Sequence, residues 1–163
     1  MMATYSQGSR EASFAEIERA LGFSFSGEIR VGGNYVSVVQ DGNDVYVSGQ
    51  IPRVGDAIVV TGRVGAEVSL AEAQLAAKVC AMRALAVLRQ ALGTLSRIRK
   101  MIRMSVYIQS AEHFTQQSEV ADGASEVLLA VLGSAGLHTR TSVGVFQLPK
   151  NAAVEIDFIA SVD

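Results

Sequence analysis

The chain has 163 residues, of which 49% are hydrophobic and 18% are charged, and its formal net charge is −2. This length suits one domain with an apolar core, and a composition so rich in hydrophobic residues excludes intrinsic disorder. The slightly negative balance provides no basic field for a phosphate backbone, so a general nucleic-acid binder is disfavoured.

A single cysteine and two histidines exclude an intrachain disulfide and a closed zinc site. Cys80 lies within a predicted helix, and a buried structural thiol is the expected interpretation rather than a reactive one. The N-terminus shows no basic segment followed by an apolar run, and no stretch approaches about 18 consecutive apolar residues. We therefore expect no signal peptide, no membrane partner and a cytoplasmic location.

The N-terminal residues predict an extension that precedes the main domain. Residues 1–11 are polar and are expected to fray. Ser13, with a glutamate three residues later, predicts the capped start of a short helix that ends at Gly22. We place the boundary of this extension at residues 1–27, and the main domain at 28–163.

Two stronger secondary-structure signals follow. Runs of β-branched residues on both sides of Asp41-Gly42-Asn43 are typical of a hairpin with a short loop. Residues 51–68 are spaced by glycines and predict an irregular connection, with a brief strand over 58–61. Ser69 and Glu72 then form a capping-box pattern, which predicts the start of a long helix.

The long helix extends to about Leu92 and carries two apolar stripes separated by polar lines, one of which includes Arg83 and Gln90. Such a helix is expected to pack on a sheet and to contact a second element. Alternation over residues 98–108, with Ile102 among the inward-facing residues, predicts a long strand with one face on the core.

The last third of the chain predicts one more helix and two strands. The helix is expected over residues 116–132, and the strands over 138–148 and 154–162. Helices separated by strands, with hairpins at both ends, predict an α+β fold with one mixed β-sheet and both helices on one face. The other face carries polar and apolar groups, and oligomerisation is the simplest way to cover it.

Alternation along the last two strands also indicates a candidate site. Arg140 and Ser142 share one side of their strand with His138, and Glu155 lies opposite the apolar set of the final strand. If both apolar sets lie under the helices, Arg140, Ser142 and Glu155 meet on the helix-free face. An arginine near a glutamate is most often a plain ion pair. The functional alternative is a guanidinium fork that binds a carboxylate beside a group that moves a proton.

Three segments of the chain resemble the RidA (YjgF) family: VYVSGQIP, TRTSVGVFQLP and VEIDFIA. The resemblance extends over about Tyr35 to Val162 and is most specific at the C-terminus. There, Arg140, an apolar residue three positions later, and the triplet Val154-Glu155-Ile156 match the family's spacing. The resemblance implies a chorismate-mutase-like homotrimer with clefts between subunits, and it points to a RidA-like subgroup of unassigned role.

The resemblance further implies hydrolytic deamination of reactive enamines and imines, such as 2-aminoacrylate and 2-iminopropionate, without a metal or organic cofactor. Arg140 would hold the substrate carboxylate, because the planar fork of its guanidinium fits a carboxylate better than the ammonium of a lysine does. Glu155 would position or activate water, together with the backbone carbonyl at Ser142. Tyr35 and Gly49 would line the same cleft from a different subunit than Arg140.

The chain departs from the family pattern at several candidate positions. His138 replaces a proline or alanine, Ser118 replaces an asparagine on the second main helix, and Ser142 replaces a cysteine common in the deaminases. His138 either adds a titratable donor to the cleft, or it is solvated or caps a loop at its strand start. Two other functions stay open: a module that binds a small carboxylate such as a 2-oxo acid without turnover and, less favoured, an endoribonuclease, since the chain lacks stacking aromatics.

Overall fold

The computed structural model describes residues 9–163 and contains three α-helices, a five-stranded sheet and a small two-stranded sheet within that range. The predictions for residues 1–8, including fraying and most of the segment inspected for a signal peptide, lie outside the described residues. The elements are α1 (Arg10–Leu21), β1 (Val38–Asp41), β2 (Asp44–Gln50), β3 (Arg53–Val54), β4 (Ala57–Ile58), α2 (Leu70–Leu92), β5 (Ile98–Gln109), α3 (Gln117–Leu132), β6 (Thr139–Val145) and β7 (Val154–Val162).

The main sheet has the strand order β1-β2-β7-β5-β6. All neighbouring strands are antiparallel except β5 and β6, which are parallel. α2 packs on β7 and β2, while α3 packs on β6 and β5, so both helices cover the same face. The predicted α+β fold with a mixed sheet is therefore confirmed, as is the hairpin at β1 and β2, where Gly42 adopts φ +59° in the turn.

The long helix begins where the capping box predicts it. The Ser69 hydroxyl accepts from the Glu72 N–H at 3.2 Å, and the Glu72 carboxylate accepts from the Ser69 N–H at 2.8 Å. Almost every α2 residue from Ala76 to Leu88 is buried, because one side of the helix packs on the sheet and another packs on α3. The expectation that α2 contacts a second element besides the sheet is confirmed.

Two β-bulges in β5 change the predicted pattern of that strand. The pairing of β5 with β7 shifts between Ile98 and Lys100 and again between Met101 and Arg103. Each bulge adds one residue and reverses the alternation of side chains. The assignment of Ile102 to the core is therefore wrong: Met101 is buried, and Ile102 is 40% exposed on the other face.

The first helix starts earlier than the capping pattern at Ser13 predicts. Ser9 is the N-cap, and its hydroxyl accepts from the Ala12 N–H at 3.1 Å. The Glu11 carboxylate accepts from the Thr94 hydroxyl at 2.7 Å and from the Leu95 N–H at 2.8 Å, which ties the first turn to the segment before β5. Fraying is thus wrong for the described residues up to 11, because tertiary contacts stabilise them. The proposed domain boundary after residue 27 stays a prediction.

Two predicted strands are shorter in the structure. The strand expected over residues 58–61 is limited to β4, which ends at Ile58. The strand expected over 138–148 ends at Val145, and the Leu148 N–H instead donates to the Gln109 side-chain oxygen at 2.8 Å. Within residues 9–163, no helix combines the length and apolar character needed to cross a membrane.

Close packing of α2 on α3 depends on one glycine. A Cβ at Gly123 would lie 2.5 Å from the backbone oxygen of Gln74. We predict that Gly123→Val lowers the free energy of unfolding by about 1–3 kcal/mol through overpacking. Chemical denaturation would measure this change. Ala130→Val, at an exposed position of the same helix, controls for the helix propensity of a β-branched residue, and equal losses in both variants would contradict the packing argument.

Candidate active site

The side chain of Arg140 lies on the helix-covered face of the sheet. In the parallel pairing of β6 with β5, Arg140 is level with Met104 and Ser142 is level with Val106, and both β5 residues are buried. Glu155 on β7 is instead level with Tyr107, on the helix-free face. The prediction that Arg140, Ser142 and Glu155 meet on the helix-free face of one protomer is therefore wrong.

The error has a physical cause in the position of β6. This strand lies at the edge of the sheet, so neither of its faces is fully covered. Its β-branched residues Thr141 and Val143 lie on the helix-free side, and Val143 is 41% exposed. Residues of this type favour strands whether or not they are buried, so their alternation does not identify the core face of an edge strand.

Three residues of α3 hold the guanidinium of Arg140. Nη1 donates to Asp122 Oδ1 at 2.9 Å and to Ser125 Oγ at 3.0 Å. Nη2 donates to Ser118 Oγ at 2.8 Å and to Ser118 O at 3.2 Å. Ser118, Asp122 and Ser125 are spaced four and three residues apart and so share one face of the helix. Only 20% of the Arg140 side chain is exposed.

His138 is connected to Arg140 through Ser125. The His138 Nδ1 atom lies 2.6 Å from the Gly136 carbonyl oxygen. Because a carbonyl oxygen only accepts, Nδ1 carries the proton and donates this hydrogen bond. In the neutral ring, Nε2 then accepts from the Ser125 hydroxyl at 3.0 Å. Arg140 and His138 line a shallow cavity of about 210 Å³ with Ser125. We call the group of Ser118, Ser125, His138, Arg140 and Ser142 the arginine half-site.

Glu155, Gly49 and Tyr35 line a different cavity, with a volume of about 300 Å³. A β-bulge in β2 falls between Val47 and Gln50 and brings Gly49 beside Glu155. A Cβ at Gly49 would collide with the Glu155 carboxylate, so a larger residue there would displace that carboxylate from its present position. We call the group of Tyr35, Gly49 and Glu155 the glutamate half-site.

The carboxyl group of Glu155 has a perturbed environment. Burial raises its pKa above the usual value, and the nearby negative charge of Asp157 raises the pKa further. Asp157 itself accepts a hydrogen bond from the Tyr107 hydroxyl at 3.4 Å. A carboxylate with a raised pKa is a stronger base than an ordinary one, which suits a group that takes a proton from water.

The seven candidate residues thus separate into two half-sites within one protomer, and several of their neighbours were not anticipated. Asp122 and Ser125 could have been found from their helical spacing with Ser118. Arg53, which also lines the glutamate cavity, carries no sequence signal that distinguishes it from a surface arginine.

Within residues 9–163, no group of three or more His, Cys, Asp or Glu side chains is arranged to hold a metal ion. Cys80 is free and buried, and its thiol lies 3.6 Å from the Val154 carbonyl oxygen. Burial raises the pKa of this thiol well above its usual value, and the negative charge of Glu155 raises the pKa further. The prediction of a buried structural thiol is confirmed.

Comparison with known proteins supports the arrangement of these elements. Residues 19–162 match the sequence profile of a family described as "YjgF/chorismate mutase-like, putative endoribonuclease". The chain belongs to the YjgF/chorismate mutase-like family. The resemblance to RidA (YjgF) proteins that the C-terminal motif indicates is therefore confirmed.

Three relatives of this YjgF-family chain illustrate the range of similarity. Protein TCP17 of Trypanosoma cruzi is 41% identical over 131 residues, which cover 80% of this chain and 82% of the relative. A crystal structure of a protein of unknown function from Agrobacterium tumefaciens is also 41% identical, with a TM-score of 0.84 over 94% of this chain and 92% of that chain. A 2-iminobutanoate/2-iminopropanoate deaminase of Dermatophagoides farinae is 29% identical over 132 residues, 80% of this chain and 88% of the relative.

The raised pKa of Glu155 predicts a pH-dependent effect of Glu155→Gln on stability. A carboxyl whose pKa is higher in the folded than in the unfolded protein favours folding while protonated, and this contribution is lost as the pH rises through the folded-state value. At pH 8 we therefore expect the Gln variant to have a higher free energy of unfolding than the parent. The difference should shrink as the pH falls towards 4.

Urea denaturation at a series of pH values measures this difference. Glu16→Gln, at an exposed position of α1, is the matched control and should show a smaller pH-dependent difference. A Glu155→Gln variant that is less stable than the parent at pH 8 would contradict the role assigned to burial.

Proposed function

We propose that the protein is a hydrolytic deaminase of carboxylate-bearing imines and enamines, and that it works in clefts between the protomers of a homotrimer. The observation that carries this proposal is the separation of the family-matched residues into two half-sites. Arg140 of one protomer would complete the cavity that contains Glu155 of the next. The site therefore depends on association, in contrast to a site enclosed by a single chain.

The exposed surface is suited to such an association. Three large hydrophobic residues on strands of the main sheet are between 40% and 46% exposed: Tyr46, Ile102 and Val143. Phe146, just after the edge strand β6, is 86% exposed. Contacts between protomers would remove this apolar area from water, which favours association.

The proposed chemistry follows from the electrophilic character of an imine. Water adds to the carbon of the C=N bond, Glu155 accepts one proton from that water, and this proton passes to the nitrogen to give the carbinolamine. The remaining hydroxyl proton then moves to the nitrogen as the carbinolamine collapses and the C=O bond forms. The C–N bond breaks, ammonia leaves, and a 2-oxo acid remains, so one water is consumed for each ammonia released. No oxidant, reductant or cofactor takes part, and the protein needs only to position substrate and water.

Arg140 is prepared for the substrate carboxylate by its contacts with α3. Ser118 and Ser125 fix the plane of the guanidinium before substrate arrives, which reduces the entropy lost on binding. The ion pair with Asp122 is the contact that a substrate carboxylate would replace in part. The Asp122 side chain is 56% exposed, and exposed ion pairs of this kind contribute little stability.

The deaminase relative from Dermatophagoides farinae supports imine hydrolysis as the reaction type, and a cytoplasmic location is part of the same proposal. The functional residues in this proposal are Arg140 for the carboxylate, Glu155 and the backbone carbonyl of Ser142 for water, and Tyr35, Gly49, Ser118 and His138 for the walls of the cleft.

We predict that Arg140→Ala lowers the rate of ammonia release from freshly generated 2-iminopropionate by about a hundredfold or more, because the substrate loses its anchor. An amino-acid oxidase that generates the imine, coupled to ammonia detection, provides the measurement. Sedimentation should show that the variant keeps the oligomeric state of the parent. Unchanged turnover would remove Arg140 from the mechanism.

Mixed oligomers test whether the two half-sites come from different protomers. Arg140→Ala and Glu155→Gln chains, coexpressed with different tags and purified as mixtures, are expected to recover about a quarter of the parent rate. In random mixing, about one interface in four combines an intact Arg140 with an intact Glu155. No recovery, or a parent protein that sediments as a monomer, would contradict a cleft between protomers.

A further inference from the structure

A pair of arginines, Arg53 and Arg83, lines the cavity of the glutamate half-site, and the proposed reaction does not use them. Arg83 projects from the middle of α2 and is only 8% exposed. Its Nε donates to the Gln50 side-chain oxygen at 2.9 Å, and its Nη1 donates to the Arg53 carbonyl oxygen at 3.3 Å. These contacts orient the guanidinium, but among residues 9–163 no carboxylate neutralises its positive charge.

The lack of a counterion applies to both members of the pair. Within the part of the chain that the structure describes, neither guanidinium lies within 4.0 Å of a carboxylate oxygen. In the same range, the Nε atom of Arg53 is buried and has no hydrogen-bond partner. Buried charges and buried N–H groups are normally paired, because leaving them unpaired costs free energy.

The charge around the cavity favours an anion. Arg30 and Lys150 line it together with Arg53 and Arg83, whereas Glu155 is the one acidic residue among the lining residues that the structure describes. The two arginines also border a second cavity of about 420 Å³, which Glu28 and Asp56 line as well. Burial lowers the pKa of Arg83, and the positive charge of Arg53 lowers it further, which indicates that the two guanidinium groups repel each other. A bound anion would relieve that repulsion.

A purely structural role explains only part of this arrangement. Arg83 does connect α2 to β2 and β3 through Gln50 and the Arg53 backbone. A neutral side chain could donate the same two hydrogen bonds without the cost of burying a charge. The two structural hydrogen bonds of Arg83 use neither its second terminal nitrogen nor the Nε of Arg53. Both atoms belong to guanidinium groups, which bind carboxylates as planar forks.

We propose that Arg53 and Arg83 form a second anion subsite, so that the natural substrate carries two carboxylates. One carboxylate would bind Arg140 of the neighbouring protomer, and the other would bind the arginine pair beside Glu155. The substrate class is then the imine of a short 2-oxo dicarboxylic acid. This inference rests on the proposed function for the first carboxylate and for the reaction, but the second subsite is tested by binding alone.

Calorimetry with 2-oxoglutarate and 2-oxobutanoate tests the subsite without turnover. The parent protein should bind 2-oxoglutarate at least about tenfold more tightly than 2-oxobutanoate, as expected for one added charge-assisted contact. Arg53→Gln should abolish this preference by weakening 2-oxoglutarate binding much more than 2-oxobutanoate binding. Arg53→Lys should restore part of the preference. Arg19→Gln, an exposed position on α1, makes the same change in net charge and should have no effect.

Arg83→Lys provides a second variant at the more buried position, with thermal unfolding as a check that it folds. Equal affinity of the parent for the two acids, or equal weakening of both by Arg53→Gln, would overturn the subsite. So would a loss of preference in Arg19→Gln that matches that of Arg53→Gln, because it would indicate only a general effect of charge.

Turnover separates this inference from the proposed function. If the parent hydrolyses the imines of both acids at the same kcat/KM, and Arg53→Gln leaves their ratio unchanged, the dicarboxylate inference is wrong and the deaminase proposal stands. If the protein hydrolyses neither imine but binds 2-oxoglutarate selectively through Arg53, the anion subsite stands and the deaminase proposal is wrong.

Discussion

The parallel pairing of β6 with β5 is the constraint on which the arrangement of the site depends. A strand that follows a helix and returns to the same sheet in parallel has its side-chain alternation set by the register with its neighbour. Here, that register makes Arg140 level with a buried residue of β5 and directs the guanidinium towards α3. Glu155, two strands away, is directed to the opposite face. A shift of β6 by one residue against β5 would move Arg140 to the face that carries Glu155. The separation of the half-sites therefore follows from backbone pairing.

Packing between the helices supports the same arrangement. Gly123 allows the backbone of α3 to approach that of α2, and this approach places the polar face of α3 over β6. The residues on that face are spaced so that each reaches the guanidinium of Arg140. Small side chains at the helix interface therefore contribute to the site indirectly, because they determine how near the hydrogen-bonding residues of α3 lie to the edge strand.

The two half-sites differ in their electrostatics. In the arginine half-site, the positive charge of Arg140 is balanced by Asp122 and by neutral oxygens. In the glutamate half-site, burial raises the pKa of the carboxyl, while two arginines nearby have no carboxylate partner among the described residues. Excess positive charge beside a basic carboxylate is a combination that attracts anions and can still accept a proton. This contrast connects the proposed reaction with the inferred dicarboxylate substrate.

The amino-acid sequence by itself determined the element types, the hairpin, the capping box of α2 and the family motif around Arg140 and Glu155. These features depend on local patterns, in which each residue acts mainly on its near neighbours. The bulges that turned Ile102 outward, the facing of β6 and the burial of Arg83 were decided only by the tertiary structure. Each of them depends on a partner distant in the chain: β7 for the bulges, β5 for the facing and β2 for the arginine. Alternation and helical periodicity describe one segment at a time, and so they do not specify which face a neighbouring segment will cover.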